Sequence, residues 1–123
     1  MKLLKASAWY LLFMAALHTL VGLWLDFEPL GAMLADGVGT LEQPHNDRIA
    51  ALWFMFSGAL MFVIAGFAFW CVKRVGELPR FLGLTFLALG VAGGLIMPLP
   101  GFWLYIPVAI LLMFQKQPAV SAA

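Results

Sequence analysis

The chain carries a single cysteine, Cys71, and only two histidines, His18 and His45. One thiol closes no internal disulfide and offers no thiol pair for a quinone-linked disulfide oxidoreductase. Charge is equally scarce, at 11% of residues and a net +1. A nucleic-acid partner asks for a concentrated basic face, which so few charges do not supply. No phosphate loop, nucleophile elbow or zincin motif occurs. No small-x-small cleavage site follows the first apolar run, so that run reads as a retained helix rather than a signal peptide.

What the chain has in excess is apolar length. Hydrophobic residues make up 64% of its 123 residues, with a mean hydropathy of +1.00. Soluble domains hold about 45–50% apolar residues, and a chain this short leaves much of its surface exposed. A bilayer is the solvent that suits it. Four apolar segments stand out: Ala6–Leu25, Ile49–Val72, Phe81–Met97 and a fourth from Pro100 to about Gln117. Each approaches the roughly 20 residues of a helical span, and all are continuous and too long for barrel strands. The expected fold is all-α: a four-helix transmembrane bundle forming one domain over residues 1–117, with a loose tail at 118–123. A long outer segment, Asp26–Arg48, joins the first two spans. Within it Pro29–Asp36 has the makings of a short surface helix stopped by Gly37, and Asn46 and Asp47 are candidate N-caps for the second span.

Lysine and arginine placement gives the orientation. Of the seven such residues, all but Arg48 fall at the N-terminus, in the Lys73–Arg80 turn or at Lys116. The positive-inside rule then puts both termini in the cytoplasm and the protein in the cytoplasmic membrane. This bias separates the chain from dual-topology exporters and fluoride channels, whose charges are nearly balanced. Small multidrug exporters rely on a glutamate in the first helix, which is absent here. A haem-bearing cytochrome wants paired axial histidines within the bundle, and only His18 qualifies.

Small residues mark the packing faces. Ala51, Gly58 and Ala65 fall at heptad spacing, as do Gly83 and Gly90, and Gly90–Gly94 forms a GxxxG. Such seams let backbones approach. Close packing of the second and third spans is one reading; self-association through Gly90 and Gly94 is the other. Trp9, Tyr10, Trp24, Trp53, Trp70, Trp103 and Tyr105 fit aromatic belts at the two interfaces.

Few residues suggest chemistry. His18 is the one ionisable side chain inside a span, and such residues are functional candidates by default. His18, Gly22 and Asp26 share a helix face, and Gly22 leaves room beside the imidazole. At roughly 10 Å below the outer interface, His18 is expected to point into the bundle toward the second or fourth span. Ser57 is at the wrong depth and Trp53, Phe54 and Met55 lie nearer, so the expected partner of His18 is a backbone carbonyl, such as the one freed by Pro107, or a water. The alternative is a neutral histidine with a purely structural hydrogen bond. Arg48 is expected to pair with an acidic residue of the outer segment, foremost Asp26. Glu42, His45, Asp47 and Arg48 mix metal-ligand types at a spacing that matches no metal motif. Pro107 implies a kink with a pocket lined by Phe102, Trp103 and Tyr105. The ligand-binding candidates are thus His18, Asp26, Arg48, Trp53, Trp103 and Pro107, for a small apolar or amphipathic molecule. No catalytic set, metal site or cofactor is indicated.

Three stretches carry a resemblance: Ala16-Leu17-His18 through Gly22, Arg48 followed by Leu52-Trp53-Phe54 and Gly58, and Pro100-Gly101-Phe102-Trp103 followed by Pro107. With these, residues 8–114 resemble an uncharacterised family of small bacterial four-span membrane proteins, a domain of unknown function. A looser similarity links the chain to DoxX-like proteins. The resemblance implies the same topology and supplies no activity. Two functional readings follow: a non-enzymatic membrane binding or accessory module, or a transporter or lipid- or quinone-handling enzyme working through His18.

Overall fold

A computed structural model describes residues 1–37, 39, 41, 45–98 and 100–115. Glu42, Lys116, Gln117 and the 118–123 tail, all named above, lie outside them. The described residues are helical with no strand: α1 Lys2–Leu25, α2 Phe27–Asp36, α3 Asn46–Arg74, α4 Arg80–Ile96, α5 Pro100–Trp103 and α6 Tyr105–Phe114. Continuous apolar runs without interior proline account for the two long helices, α1 with 24 residues and α3 with 29. At 1.5 Å per residue they are about 36 and 43 Å long, whereas α4 is about 25 Å. Among the described residues, only α1 and α3 are helices long and apolar enough to cross a membrane by themselves.

Several element boundaries differ from expectation. The short helix in the outer segment begins at Phe27, with Asp26 alone between it and the end of α1, because Asp26 N–H still bonds Gly22 O while Asp26 O accepts from Leu30. The chain therefore leaves α1 without uncoiling. Gly37 stops α2 with φ 90°, a value glycine adopts without strain. The N-cap of α3 is His45 rather than Asn46 or Asp47, which are already helical, and no side chain caps it. The fourth apolar segment is split at Leu104 into α5 and α6. Pro107 thus falls in the first turn of α6, where no intrahelical N–H is needed.

Helix partners also depart from the expected order. The Ala51–Gly58–Ala65 seam receives α1, not α4: a Cβ at Gly58 would meet Thr19 Oγ1 at 2.7 Å and His18 Cδ2 at 3.2 Å. Gly83, Gly90 and Gly94 are likewise in a helix contact, but with α5 and α6. A Cβ at Gly90 would meet Tyr105 and Ile106 at 3.1 Å, and one at Gly94 would meet the Trp103 indole at 2.7 Å. Adjacency in sequence brings α3 and α4 together at their turn, yet each turns its small-residue face elsewhere. The face expected to serve self-association is filled within the chain.

Both principal pairs are antiparallel. Trp9 meets Phe69 edge to face at 5.1 Å, while His18 meets Phe54, so the start of α1 lies beside the end of α3. The Gln115 side chain donates to the Leu78 carbonyl, tying the end of α6 to the α3–α4 turn. Met1 to Lys5, Lys73 to Arg80 and Gln115 therefore gather at one end. Between the pairs, Leu4, Leu11, Phe86, Val108 and Leu112 are buried in a common core. Tyr105 joins that core, stacking on Phe86 at 5.3 Å and reaching Met61 Sδ at 3.7 Å. Tyr10 donates to Leu104 O at 2.8 Å. Both tyrosines are half-buried contacts inside the body.

Candidate functional site

The polar features at the other end rest on α1, α2 and α3. His18 lies on the α1 face that meets α3. Its ring is stacked on Phe54, with centroids 3.9 Å apart and planes 9° apart. Nε2 lies 2.9 Å from Phe54 O and 3.2 Å from Ser57 Oγ. A carbonyl only accepts, so Nε2 carries the proton. The Phe54 ring occupies the space that Gly22 leaves, since a Cβ there would meet Phe54 Cδ1 at 2.6 Å.

This geometry decides what the serine–histidine pair does. A nucleophilic serine needs an unprotonated imidazole nitrogen facing its hydroxyl. Here Nε2 is committed as a donor, and Ser57 Oγ donates to Phe54 O at 2.8 Å or Trp53 O at 3.0 Å. The arrangement is an interhelical clasp, with aromatic cover on one side, rather than a nucleophile–base couple. Beside it Thr19 Oγ1 is buried with no hydrogen-bond partner among the described residues.

Further toward that end, α2 folds over the start of α3. An open groove of about 530 Å³ lies between them and the end of α1, lined mainly by Leu23, Leu30, Met33, Leu34, Leu52 and Met55. Among the described residues Arg48 is its one charged lining residue, and it pairs with Asp36 at the end of α2. Arg48 is 15% exposed and Asp36 50%, so the guanidinium sits in the wall and the carboxylate at the rim. Among the described residues no group of three or more His, Cys, Asp or Glu converges to hold a metal ion.

The six candidates do not form one site. Arg48 lines the groove, and Met55, beside Gly22, links it to the His18 neighbourhood. Asp26 sits in the α1–α2 junction and is not the partner of Arg48, because α2 carries the chain on and delivers Asp36 instead. Trp53 is 69% exposed and points away. Trp103 covers Gly94, and Pro107 is exposed on α6, so the expected pocket at the kink is not where the groove lies. A small apolar void inside the body does touch Tyr105, together with Leu11, Met61, Ile64 and Phe86.

Sequence reasoning placed Phe54 at the depth of His18 but set Ser57 aside, and it expected an acidic residue of the outer segment beside Arg48, which is Asp36 rather than the favoured Asp26. The depth argument against Ser57 placed the outer end of α3 too near Arg48. In the structure Gly22 faces Phe54 and Met55 while Thr19 faces Gly58, so α3 overhangs α1 and Ser57 comes level with His18. The carbonyl expected for His18 is there in kind, but it belongs to Phe54.

Neither the curated proteins nor the solved structures offer a match to this chain. A family model does match, spanning residues 2–119, and the chain therefore belongs to the family of unknown function DUF6463.

Proposed function

We propose that the chain is a small multi-pass protein of the cytoplasmic membrane, a four-helix bundle with both termini inside, acting as a non-enzymatic binding module. The observation that carries this reading is the outward surface of the long helices. Phe13, Leu20, Phe56, Leu60, Val63 and Phe67 are each about half exposed or more, while Lys2, Lys5, Lys73, Arg74 and Arg80 collect at one end. A continuous apolar girdle of this kind suits lipid rather than water. Trp9 and Trp70 toward that end, with Trp24 and Trp53 toward the other, match interfacial positions. The shorter α4, at about 25 Å, crosses a bilayer core of about 30 Å with local thinning or snorkelling of its flanks.

The ligand-binding end is the α1–α2–α3 groove, which faces outward in this topology. The transporter or lipid- or quinone-handling reading through His18 is weaker, because Phe54 covers the imidazole and the Phe54 carbonyl takes its proton donor. Self-association would have to use a face other than Gly90 and Gly94.

Alkaline carbonate extraction and reporter fusions test the proposal. The chain should stay with the membrane pellet. Fusions at Gly76 and Ala123 should report the cytoplasm and one at Thr40 the outer side. Release by carbonate, or an outer signal at Gly76, overturns it.

A further inference from the structure

The groove combines an apolar trough with one recessed cation. Leu23, Leu30, Met33, Leu34, Leu52 and Met55 supply walls without a hydrogen-bonding side chain, and among the described residues Arg48 supplies the single fixed charge. Its volume of about 530 Å³ falls within the 300–1,000 Å³ of small-molecule sites. A purely apolar ligand would leave the arginine unused. A zwitterionic one would set a second cation beside it.

We propose that this groove binds a long-chain fatty acid, with its alkyl chain along the leucine and methionine wall and its carboxylate on Arg48. The inference rests on the binding-module reading above and names the ligand class of the same site. Asp36 shows that the guanidinium is placed to receive a carboxylate: it pairs through Nη1 with Asp36 Oδ2 and with no other described residue. The planar fork of arginine has five donors, so it suits a carboxylate better than a lysine would. Asp36 is also a poor permanent partner. It closes the C-terminal turn of α2, where the helix dipole disfavours negative charge. Being 50% exposed, it is released to water at little cost when another carboxylate takes its place. The arginine, 15% exposed, has no such freedom and keeps its position in the wall. The native ion pair thus holds the site for an incoming acid.

The test is equilibrium binding of radiolabelled palmitate to the purified full chain in nonionic detergent, with hexadecanol and phosphatidylglycerol as competitors. One palmitate per chain is expected, displaced poorly by either competitor. Arg48→Gln should weaken palmitate at least tenfold while leaving hexadecanol binding unchanged. Asp36→Asn should tighten palmitate several-fold, an outcome that a misfolded variant does not produce. Leu52→Trp should abolish the binding of both by filling the trough. Equal affinity for palmitate and hexadecanol, indifference to Arg48→Gln, weakening by Asp36→Asn or retained binding in Leu52→Trp each overturns the proposal. Preferential displacement by phosphatidylglycerol also overturns it, in favour of a two-chain lipid. Failure of the membrane reading appears separately, in carbonate extraction, which does not depend on palmitate.

Discussion

The His18 imidazole lies flat against the Phe54 ring at 3.9 Å, while its Nε2 reaches the carbonyl oxygen of the same residue at 2.9 Å. One residue of α3 thus offers both a face and an acceptor to one residue of α1. A polar side chain in an apolar setting needs its hydrogen bond supplied by protein. Taking it from the backbone of the helix against which it stacks meets that need without a second polar side chain.

Replacing His18 with leucine removes both contacts. A net hydrogen bond is worth roughly 0.5–1.5 kcal/mol and an aromatic stack about as much again. The thermal unfolding midpoint of the purified protein in detergent should fall. A double-mutant cycle with Phe54→Leu should show a coupling of about 0.5–1.5 kcal/mol. Additive effects would mean that the stacked pair contributes nothing as a pair.

Two glycines of α3 make a matched experiment. A methyl at Gly58 runs into Thr19 and His18, whereas one at Gly66 meets nothing within 4 Å. Gly58→Ala should destabilise by about 1–3 kcal/mol through overpacking. Gly66→Ala should stabilise by roughly 0.5–1 kcal/mol through helix propensity. Similar midpoints for the two variants would refute the assignment of the Gly58 face to α1.

The legibility of this chain divides along the same line. The places of the helices could be read because apolar runs and the Gly37 stop are local properties, whereas the direct passage from α1 into α2 and the break at Leu104 could not. The small faces of Gly58, Gly83, Gly90 and Gly94 could be read too, since glycine at helical spacing announces a close approach. Which helix makes that approach is not written in the glycines: Gly90 received Tyr105 and Ile106 of α6, and Gly58 received Thr19 of α1. The site shows the same limit. Gly22 announced space beside His18 and depth pointed to Trp53, Phe54 and Met55, but nothing told which of the three would turn toward the imidazole. Which acidic residue met Arg48 hung on how α2 continues from α1. Asp26 was closer in sequence to the expected span end, and Asp36 was brought there by ten helical residues.

Gly94 carries a second packing test at the opposite helix pair. Its missing side chain admits the Trp103 indole, which a Cβ would meet at 2.7 Å. Gly94→Leu should lower stability by roughly 1–3 kcal/mol, and Trp103→Ala in the same chain should recover part of the loss by vacating the space. Measured midpoints that fall further in the double variant than in Gly94→Leu alone would show that Trp103 does not occupy that face.

The last prediction concerns the break in the fourth apolar segment. Leu104 separates α5 from α6, and its carbonyl accepts the Tyr10 hydroxyl at 2.8 Å. Pro107 stands three residues further on, in the first turn of α6, where it lacks an N–H that the helix does not use. If the hydroxyl ties α1 to this bend, Tyr10→Phe should cost about 0.5–1.5 kcal/mol, because the ring still fits while the bond is lost. Tyr105→Phe should cost less, since its hydroxyl reaches only the weak acceptor Met61 Sδ at 3.7 Å. Pro107→Ala should be close to neutral, because the first turn of α6 does not use the N–H that alanine restores, and Val108, Ala109 and Leu112 are already buried and need no rearrangement. The ranking Tyr10→Phe, then Tyr105→Phe, then Pro107→Ala, read from unfolding midpoints in one detergent, is the expected order. A large loss from Pro107→Ala with none from Tyr10→Phe would place the cause of the bend in the proline and deny the tyrosine its part.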